Sequence, residues 1–347
     1  MSATYRGRRA AVLENEAVRL TVLEEGGHIA EIFDKRAGVN PLWTPPWPSL
    51  EPSSYDRGTH PEYGDGPDAQ LLAGIIGHNL CLDTFGAPSA EEVAAGIPVH
   101  GEGSVVPYEI READGGLLIK ARFPLAGLLF ERRIELHSRA VRIKEAVENL
   151  SASDRPIGWT QHVTLGPPFL EHRATQFRAS AARSKVFEGA FGSADFLIPG
   201  AEFDWPHAPR PEGRFADLQA LTQPAPSSAF TTHLMDSSRE YAFFVAFTPA
   251  FRLAFGYVWR PQDFPWLGIW EENRSRAHAP WNGCVLARGM EFGVSPFPES
   301  RRAMIERGRL FGVPAYRWLP ARSHAEVEYW AILQESSTIP ESLQPPA

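Results

Sequence analysis

The chain has 347 residues, of which 43% are apolar and 22% charged, and its net charge is -8. This composition is typical of a globular protein and excludes a mostly disordered chain. An acidic chain without a basic face argues against a nucleic-acid partner. No apolar run is long enough to span a membrane, and the first residues lack the apolar core of a signal peptide, so we expect a cytoplasmic protein with no membrane partner.

The two cysteines, Cys81 and Cys284, form neither a CxxC pair nor a cluster with histidines. Spacings of that kind are what zinc sites and redox motifs require. The sequence therefore predicts no disulfide framework and no zinc or redox site. No metal ligands are assigned, because His78, Asp83 and His100 show no recognised ligand spacing, and metal dependence stays open.

Taken in order, the chain begins with strand patterns. Residues 11–33 alternate apolar and polar side chains, and Gly26-Gly27 marks the turn of a hairpin. Residues 44–68 are rich in Pro, Gly, Asp and Tyr, which predicts a long loop that lines a pocket or covers a face, with a disordered segment as the alternative. The clearest pattern lies in residues 117–150, where the apolar phase changes after Ser138-Arg139, as expected for two antiparallel strands.

Further strands follow to the end of the chain, and helical periodicity is scarce. The strand patterns occupy residues 159–165, 241–247, 252–259, 267–271, 285–292 and 325–333. Short helices are predicted at residues 89–95 and 300–306. We expect one all-β domain over residues 1–334, folded as a giant sandwich because a sheet this large must bury its apolar face. Residues 335–347 are expected to be a flexible tail.

Three stretches carry candidate chemistry. Glu291 stands in an apolar strand, where burial disfavours an ionised carboxylate unless partners offset the loss of water. His100 and His162 stand beside glycine or proline at the ends of strand patterns. A histidine at a strand end is also compatible with a surface role, and Glu291 could instead pair with Arg288, Arg301 or Arg302.

The order of these stretches resembles the galactose mutarotase-like superfamily, the aldose 1-epimerases and their relatives. Residues 34–43 (DKRAGVNPLW) resemble a turn of that family, and His100-Gly101 resembles its His-Gly segment. Residues 148–151 (ENLS) precede His162 as in the family, and Glu291 resembles its catalytic Glu on a late strand.

The resemblance implies a β-supersandwich of large antiparallel sheets that binds a monosaccharide and interconverts its α and β anomers without a cofactor. Glu291 would be the base and His162 the acid, because imidazole titrates near neutral pH. His100 would share the acid role. We expect Glu291 to lie across the sugar from His162. We expect the protein to be a monomer or a homodimer.

Other residues are candidates for binding the sugar. Flat aromatic walls suit its C–H faces, whereas polar side chains suit its hydroxyls. The candidates are His78, Asn79, Asp83, Trp159, Trp270, Glu272 and Trp281. The family's Asn-Arg pair ahead of the His-Gly segment is replaced by Gly77-His78-Asn79, which leaves the identity of the sugar open.

Two alternatives remain at the level of sequence. A glycoside hydrolase or lyase would use Glu271 or Glu272 with Glu291 as paired carboxylates across a cleft. A carbohydrate-binding protein without turnover would keep the cleft alone, because a fold does not fix a function. A site that carries His100, His162 and Glu291 together holds more than binding requires, which favours catalysis.

Overall fold

The computed structural model describes residues 3–346 and has 24 strands in that range, numbered here in chain order. Its larger sheet has twelve strands. In spatial order these are β1 (Ala3–Tyr5), β2 (Arg8–Glu14), β3 (Val18–Leu23), β4 (Ile29–Asp34), β5 (His78–Asp83), β10 (Arg155–Leu165), β20 (Leu286–Gly293), β19 (Trp266–Asn273), β16 (Ser227–Met235), β12 (Ala181–Val186) and β13 (Glu202–Phe203), with β23 (Arg317–Leu319) beside β10.

The second sheet has eight strands. In spatial order they are β11 (Gln176–Ala179), β17 (Ala242–Thr248), β18 (Leu253–Trp259), β24 (His324–Glu335), β9 (Ala140–Asn149), β8 (Leu128–His137), β7 (Gly116–Phe123) and β6 (Glu109–Ala113). Two small ribbons pair β14 (His207–Arg210) with β15 (Arg214–Asp217) and β21 (Arg309–Leu310) with β22 (Val313–Pro314). This architecture confirms the all-β sandwich predicted from the sequence.

The main core lies between the two sheets. Phe130 and Ile143 of the smaller sheet and Leu80, Val163 and Phe292 of the larger one are fully or almost fully buried in a single apolar cluster. Burial of this kind stabilises the fold by about 25 cal/mol per Å² of apolar surface. The core therefore holds the two sheets face to face.

A second apolar cluster covers the opposite face of the larger sheet. It includes Trp43, Cys81, Phe230, Trp270 and Trp281. All residues of β5 and of β19 are buried, because these central strands have packing on both faces. Polar side chains on these strands are consequently buried, whichever face of the sheet they point to.

The short helices occupy three places in the chain: α1 (Ala69–Gly74), α2 (Ala90–Ala94) and α3 (Arg301–Arg307). Ser89 and Glu92 form a capping box at the start of α2, and the Ser300 hydroxyl accepts a hydrogen bond from the Ala303 amide at α3. Both helices lie where the sequence predicts them. Helix α1 was not predicted.

The segment after β24 packs against the smaller sheet, in contrast to the flexible tail expected from its composition. Leu343 is buried among Phe243, Val245 and Val258. The Arg178 side chain donates a hydrogen bond to the Pro340 carbonyl. Leu343, together with the partly buried Ile339, thus anchors a segment whose composition is otherwise polar.

Within residues 3–346, no helix is long and apolar enough to cross a membrane. The same residues contain no group of three or more His, Cys, Asp or Glu side chains arranged to hold a metal ion.

Candidate active site

The register of the central strands brings the candidate residues into one row. His162 on β10 lies opposite Asn79 on β5 and opposite Glu291 on β20, and Glu291 in turn lies opposite Gly268 on β19. Residues opposite one another in a sheet point to the same face. The odd-numbered neighbours Gln161 and Val163 point the other way, so the row of His162 and Glu291 faces away from the core between the sheets.

A pocket of about 350 Å³ lies over this row. That volume is at the lower end of small-molecule sites and matches a single sugar ring better than an oligosaccharide. His100, His162 and Glu291, the three residues expected to carry the chemistry, all line it. Its walls include Trp43, Phe191, Phe230, Trp270 and Trp281, and its other charged lining residues are Asp68 and Arg276.

Glu291 and His162 are in direct contact. The Nε2 atom of His162 lies 3.1 Å from the Oε1 atom of Glu291, and the two residues are 6% and 3% exposed. The resemblance predicts a sugar between the two side chains, and this prediction is wrong, because cross-strand neighbours on one face are too close to admit a ring. A sugar in this pocket must instead rest on both side chains from above.

Burial sets the protonation of this pair. It raises the pKa of Glu291 from 4.5 to about 8, against a smaller opposing effect of the nearby Arg276 charge. Burial also lowers the pKa of His162 well below its ordinary value of 6.5, and the neighbouring His100 lowers it further. At neutral pH the pair therefore holds one proton, which resides on Glu291, and His162 is neutral.

His100 approaches the pair from a loop. Its backbone has φ of 64°, and Gly101 follows with φ of 76°. The Nδ1 atom of His100 lies 2.5 Å from the Phe85 carbonyl oxygen, which can only accept, so the ring proton is on Nδ1. Burial lowers the pKa of His100 to about 4. At neutral pH its Nε2 atom is consequently an acceptor, and the acid role expected for His100 does not fit this tautomer.

Aromatic rings form the walls of the pocket. The rings of Trp43 and Trp281 are parallel, with centroids 6.0 Å apart, and Trp270 stands edge-on to Trp281 at 5.9 Å. Trp270 and Trp281 were predicted as walls, and both line the pocket. Trp43 was not predicted as a wall, although it ends the turn motif quoted above.

Two of the predicted binding residues belong to the core between the sheets. His78 is fully buried, with its ring nitrogens 3.0 Å from the Tyr257 hydroxyl and 3.0 Å from the Gln161 side-chain oxygen. The Trp159 indole donates to Glu145 at 3.0 Å. Strand alternation explains both positions, since each residue is one place out of phase with the pocket row.

The other three polar candidates make hydrogen bonds with other residues of the protein. Asn79 lies in the pocket row, but it is fully buried and its amide nitrogen donates to Ser104 at 3.0 Å. Asp83 accepts from Arg155 at 2.7 Å and from Arg301 at 3.0 Å. Glu272 accepts from the backbone and hydroxyl of Ser275. None of the three lines the pocket.

Several residues of the site escaped the sequence reasoning: Asp68, Arg276, Phe191, Phe230 and Gly289. A Cβ atom at Gly289 would overlap with the Glu291 carboxylate, so glycine leaves the floor of the pocket clear. A glycine inside a strand often marks a close approach of a ligand, and this signal was present in the sequence.

The sequence matches no protein-family model and no curated protein. Solved structures do match. A provisionally assigned aldose 1-epimerase from Klebsiella pneumoniae has a TM-score of 0.67 at 13% identity, covering 95% of this chain and 80% of that one. A galactose mutarotase-like protein from Clostridium acetobutylicum has a TM-score of 0.65 at 13% identity, covering 96% of this chain and 98% of that one. A galactose mutarotase related enzyme from Lactobacillus acidophilus has a TM-score of 0.56 at 10% identity, covering 95% of this chain and 99% of that one.

These likenesses extend over nearly the whole chain. At such low identities they establish the fold, and the chain has the galactose mutarotase-like fold expected from its sequence.

Proposed function

We propose that this protein is a sugar 1-epimerase that interconverts the α and β anomers of a monosaccharide. The observation that carries the proposal is the buried Glu291 and His162 pair, with Nε2 and Oε1 in contact at 3.1 Å on the floor of a pocket the size of one sugar ring. Anomer interconversion needs one group that accepts a proton and one that donates it. A pair that holds a single proton meets both needs.

Ring opening then proceeds by two proton transfers. One member of the pair takes the proton of the anomeric hydroxyl as the C1–O5 bond breaks and C1 becomes a carbonyl, and the other member gives its proton to O5. Rotation about C1–C2 presents the other carbonyl face. O5 attacks C1, the C1–O5 bond reforms, and both protons return, so the pair ends each turnover as it began.

The resemblance assigns the base role to Glu291 and the acid role to His162. That assignment requires the shared proton to lie on His162, whereas burial places it on Glu291 in the free protein. A proton transfer between Glu291 Oε1 and His162 Nε2, which lie 3.1 Å apart, converts one state into the other. The nearby Arg276 charge favours the ionised carboxylate and so assists this transfer.

His100 completes the site as a positioning acceptor in this proposal. Its Nε2 atom has no proton at neutral pH, and its ring centroid lies 5.1 Å from that of His162. It can therefore accept a hydrogen bond from a sugar hydroxyl close to the reacting centre.

The hydrolase alternative loses the carboxylates on which it was based. Glu271 lies on the core face of β19, opposite Arg288, and Glu272 is held by Ser275 beneath the pocket. A pure binding role gains nothing from a carboxyl group whose pKa is moved to about 8, whereas acid–base catalysis does.

The proposal is tested by following freshly dissolved α-D-galactose and α-D-glucose to anomeric equilibrium by polarimetry. We expect the protein to accelerate the approach, and we expect Glu291→Gln to reduce the rate by about 10³-fold, because it removes the titrating group. Glu326→Gln, an exposed Glu on β24, is the matched control and keeps the full rate. A Glu291→Gln variant that keeps more than about a tenth of the wild-type rate would contradict general acid–base catalysis at Glu291.

A further inference from the structure

Arg276 is an unusual arginine for a pocket wall. Its guanidinium carbon lies 4.5 Å from the Trp281 ring centre, 5.2 Å from that of Trp270 and 5.8 Å from that of Phe191. These contacts fix the plane of the guanidinium through cation–π attraction. Among the described residues, its side chain donates no hydrogen bond, and its closest charged partner is Glu272 at 3.6 Å. Its donors are thus held in place and left unused.

The turn after β19 creates this position. Glu272 accepts hydrogen bonds from the Ser275 amide at 2.5 Å, the Ser275 hydroxyl at 2.7 Å and the Arg276 amide at 3.3 Å. The buried Glu272 carboxylate therefore holds the turn of residues 273–276 in place, and Arg276 is the residue at the end of that turn. Glu272, expected to touch the sugar, instead orients the residue that can.

Asp68 supplies the complementary group on another wall of the same pocket. It precedes helix α1, yet its carboxylate does not cap that helix. Within residues 3–346 it forms no ion pair, and in particular none with Arg276. The pocket consequently presents unused acceptors on Asp68 and unused donors on Arg276, without direct contact between the two.

We propose that Asp68 and Arg276 bind two neighbouring hydroxyls of the sugar and thereby select neutral sugars over sugar acids and sugar phosphates. One hydroxyl accepts from the guanidinium and the next donates to the carboxylate, a pairing that a diol satisfies and an anion does not. The charges agree with this, because Glu272, Asp68 and Asp195 surround the single guanidinium with negative charge. An anionic group would meet net repulsion here.

This inference rests on the proposed function for its kinetic test and has a binding test of its own. The probes are D-galactose, D-galacturonate and D-galactose 6-phosphate, examined with wild type, Arg276→Gln and Asp68→Asn. Arg274→Gln is the matched control, since Arg274 is an exposed arginine two residues earlier in the same turn and does not line the pocket. Binding is measured by calorimetry with the Glu291→Gln protein as background.

We expect wild type to prefer galactose to both charged sugars by at least about tenfold in kcat/KM. Arg276→Gln and Asp68→Asn each raise KM for galactose by about tenfold, as loss of one hydrogen bond to the substrate predicts. The value of kcat changes little in Asp68→Asn, whereas Arg276→Gln also lowers kcat, because the Arg276 charge favours the ionised Glu291 carboxylate. Asp68→Asn also lowers the ratio of kcat/KM for galactose to kcat/KM for each charged sugar. Arg274→Gln leaves every value unchanged.

Preference for galacturonate or the 6-phosphate that disappears in Arg276→Gln would overturn the inference and make Arg276 an anion site. Unchanged KM values in both variants would overturn it as well. If no sugar exchanges faster, yet galactose binds at least about tenfold more tightly than both charged sugars and Arg276→Gln weakens that binding about tenfold, the selection of neutral sugars stands and the epimerase proposal fails.

Discussion

Glu291 is the residue on which the proposed chemistry of the pocket depends, and its burial has a thermodynamic consequence. The unfolded chain ionises this carboxyl near its ordinary pKa of 4.5, whereas the folded protein holds its proton to about pH 8. The contribution of the protonated Glu291 carboxyl to the free energy of unfolding is fully present below pH 4.5 and is lost as pH rises through 8. The fold therefore bears a growing penalty over this range.

Glu291→Gln should remove that penalty. Glutamine has a similar shape and no charge to bury, so we expect the variant to be inactive and yet more stable than wild type. The gain in unfolding free energy should be small at pH 4.5 and reach on the order of 4 kcal/mol above pH 8. Urea unfolding at pH 4.5, 6.5 and 8.5 measures it, with Glu326→Gln as the control. A gain that does not grow with pH would contradict the buried, protonated Glu291.

At the scale of elements, the register of β10 against β20 decides which side chains meet. A shift of one residue would place Met290 and Phe292 in the pocket and Glu291 in the core. Glycines at 268 and 289 keep the floor around Glu291 free of side chains, since a Cβ at Gly268 would lie 2.8 Å from the Phe230 ring. The strands thus provide both the contact between Glu291 and His162 and the space above it.

Gly289→Ala tests this role of the floor. The added methyl group would overlap with Glu291 Oε1 and lie 3.1 Å from Trp270 Cβ, so the carboxylate must move. We expect kcat to fall by about 10²-fold, as misplacement of a reacting group by about 1 Å predicts. Gly189→Ala is the control, because its nearest neighbour is the Phe187 ring at 3.3 Å. A Gly289→Ala variant with normal kcat and a native fold would show that the floor does not position Glu291.

The phase of the apolar pattern explains which elements could be predicted from the sequence. Residues 128–136 and 141–147 alternate cleanly because their outer face meets water, and they are β8 and β9. Strands β5, β10, β19 and β20 have packing on both faces, so their sequences do not show which face holds the pocket. That ambiguity is why His78 and Trp159 were expected at the site.

On the scale of the whole molecule, a polar network joins the two sheets within the apolar core. Glu145 of β9 accepts from Arg132 at 2.7 Å, from the Trp159 indole at 3.0 Å and from the Tyr329 hydroxyl at 2.7 Å. Buried polar groups that are this well paired specify one arrangement of the sheets. The network lies behind the pocket floor and fixes β10 from the side opposite to the pocket.

Some parts of the site required the whole fold. The order of His100, His162 and Glu291 in the sequence predicted that they would meet, and they line one pocket. Asp68 and Arg276 could not be found in this way, because a loop and a turn more than 200 residues apart place them together. Their proposed role depends on unused hydrogen-bonding groups, which no residue pattern reveals.

The most direct test of the acid–base pair is the rate of anomer exchange at equilibrium, measured by magnetisation exchange with the full chain from pH 5 to pH 9.5. The pair holds one proton up to about pH 8 and none above it, and His100 stays neutral above about pH 4. We predict a rate that is constant from pH 5 to 7 and falls about tenfold per unit well above pH 8, since no acid then remains to protonate the ring oxygen. A rate that keeps rising to pH 9.5, or no acceleration of exchange for any aldose, would contradict the account.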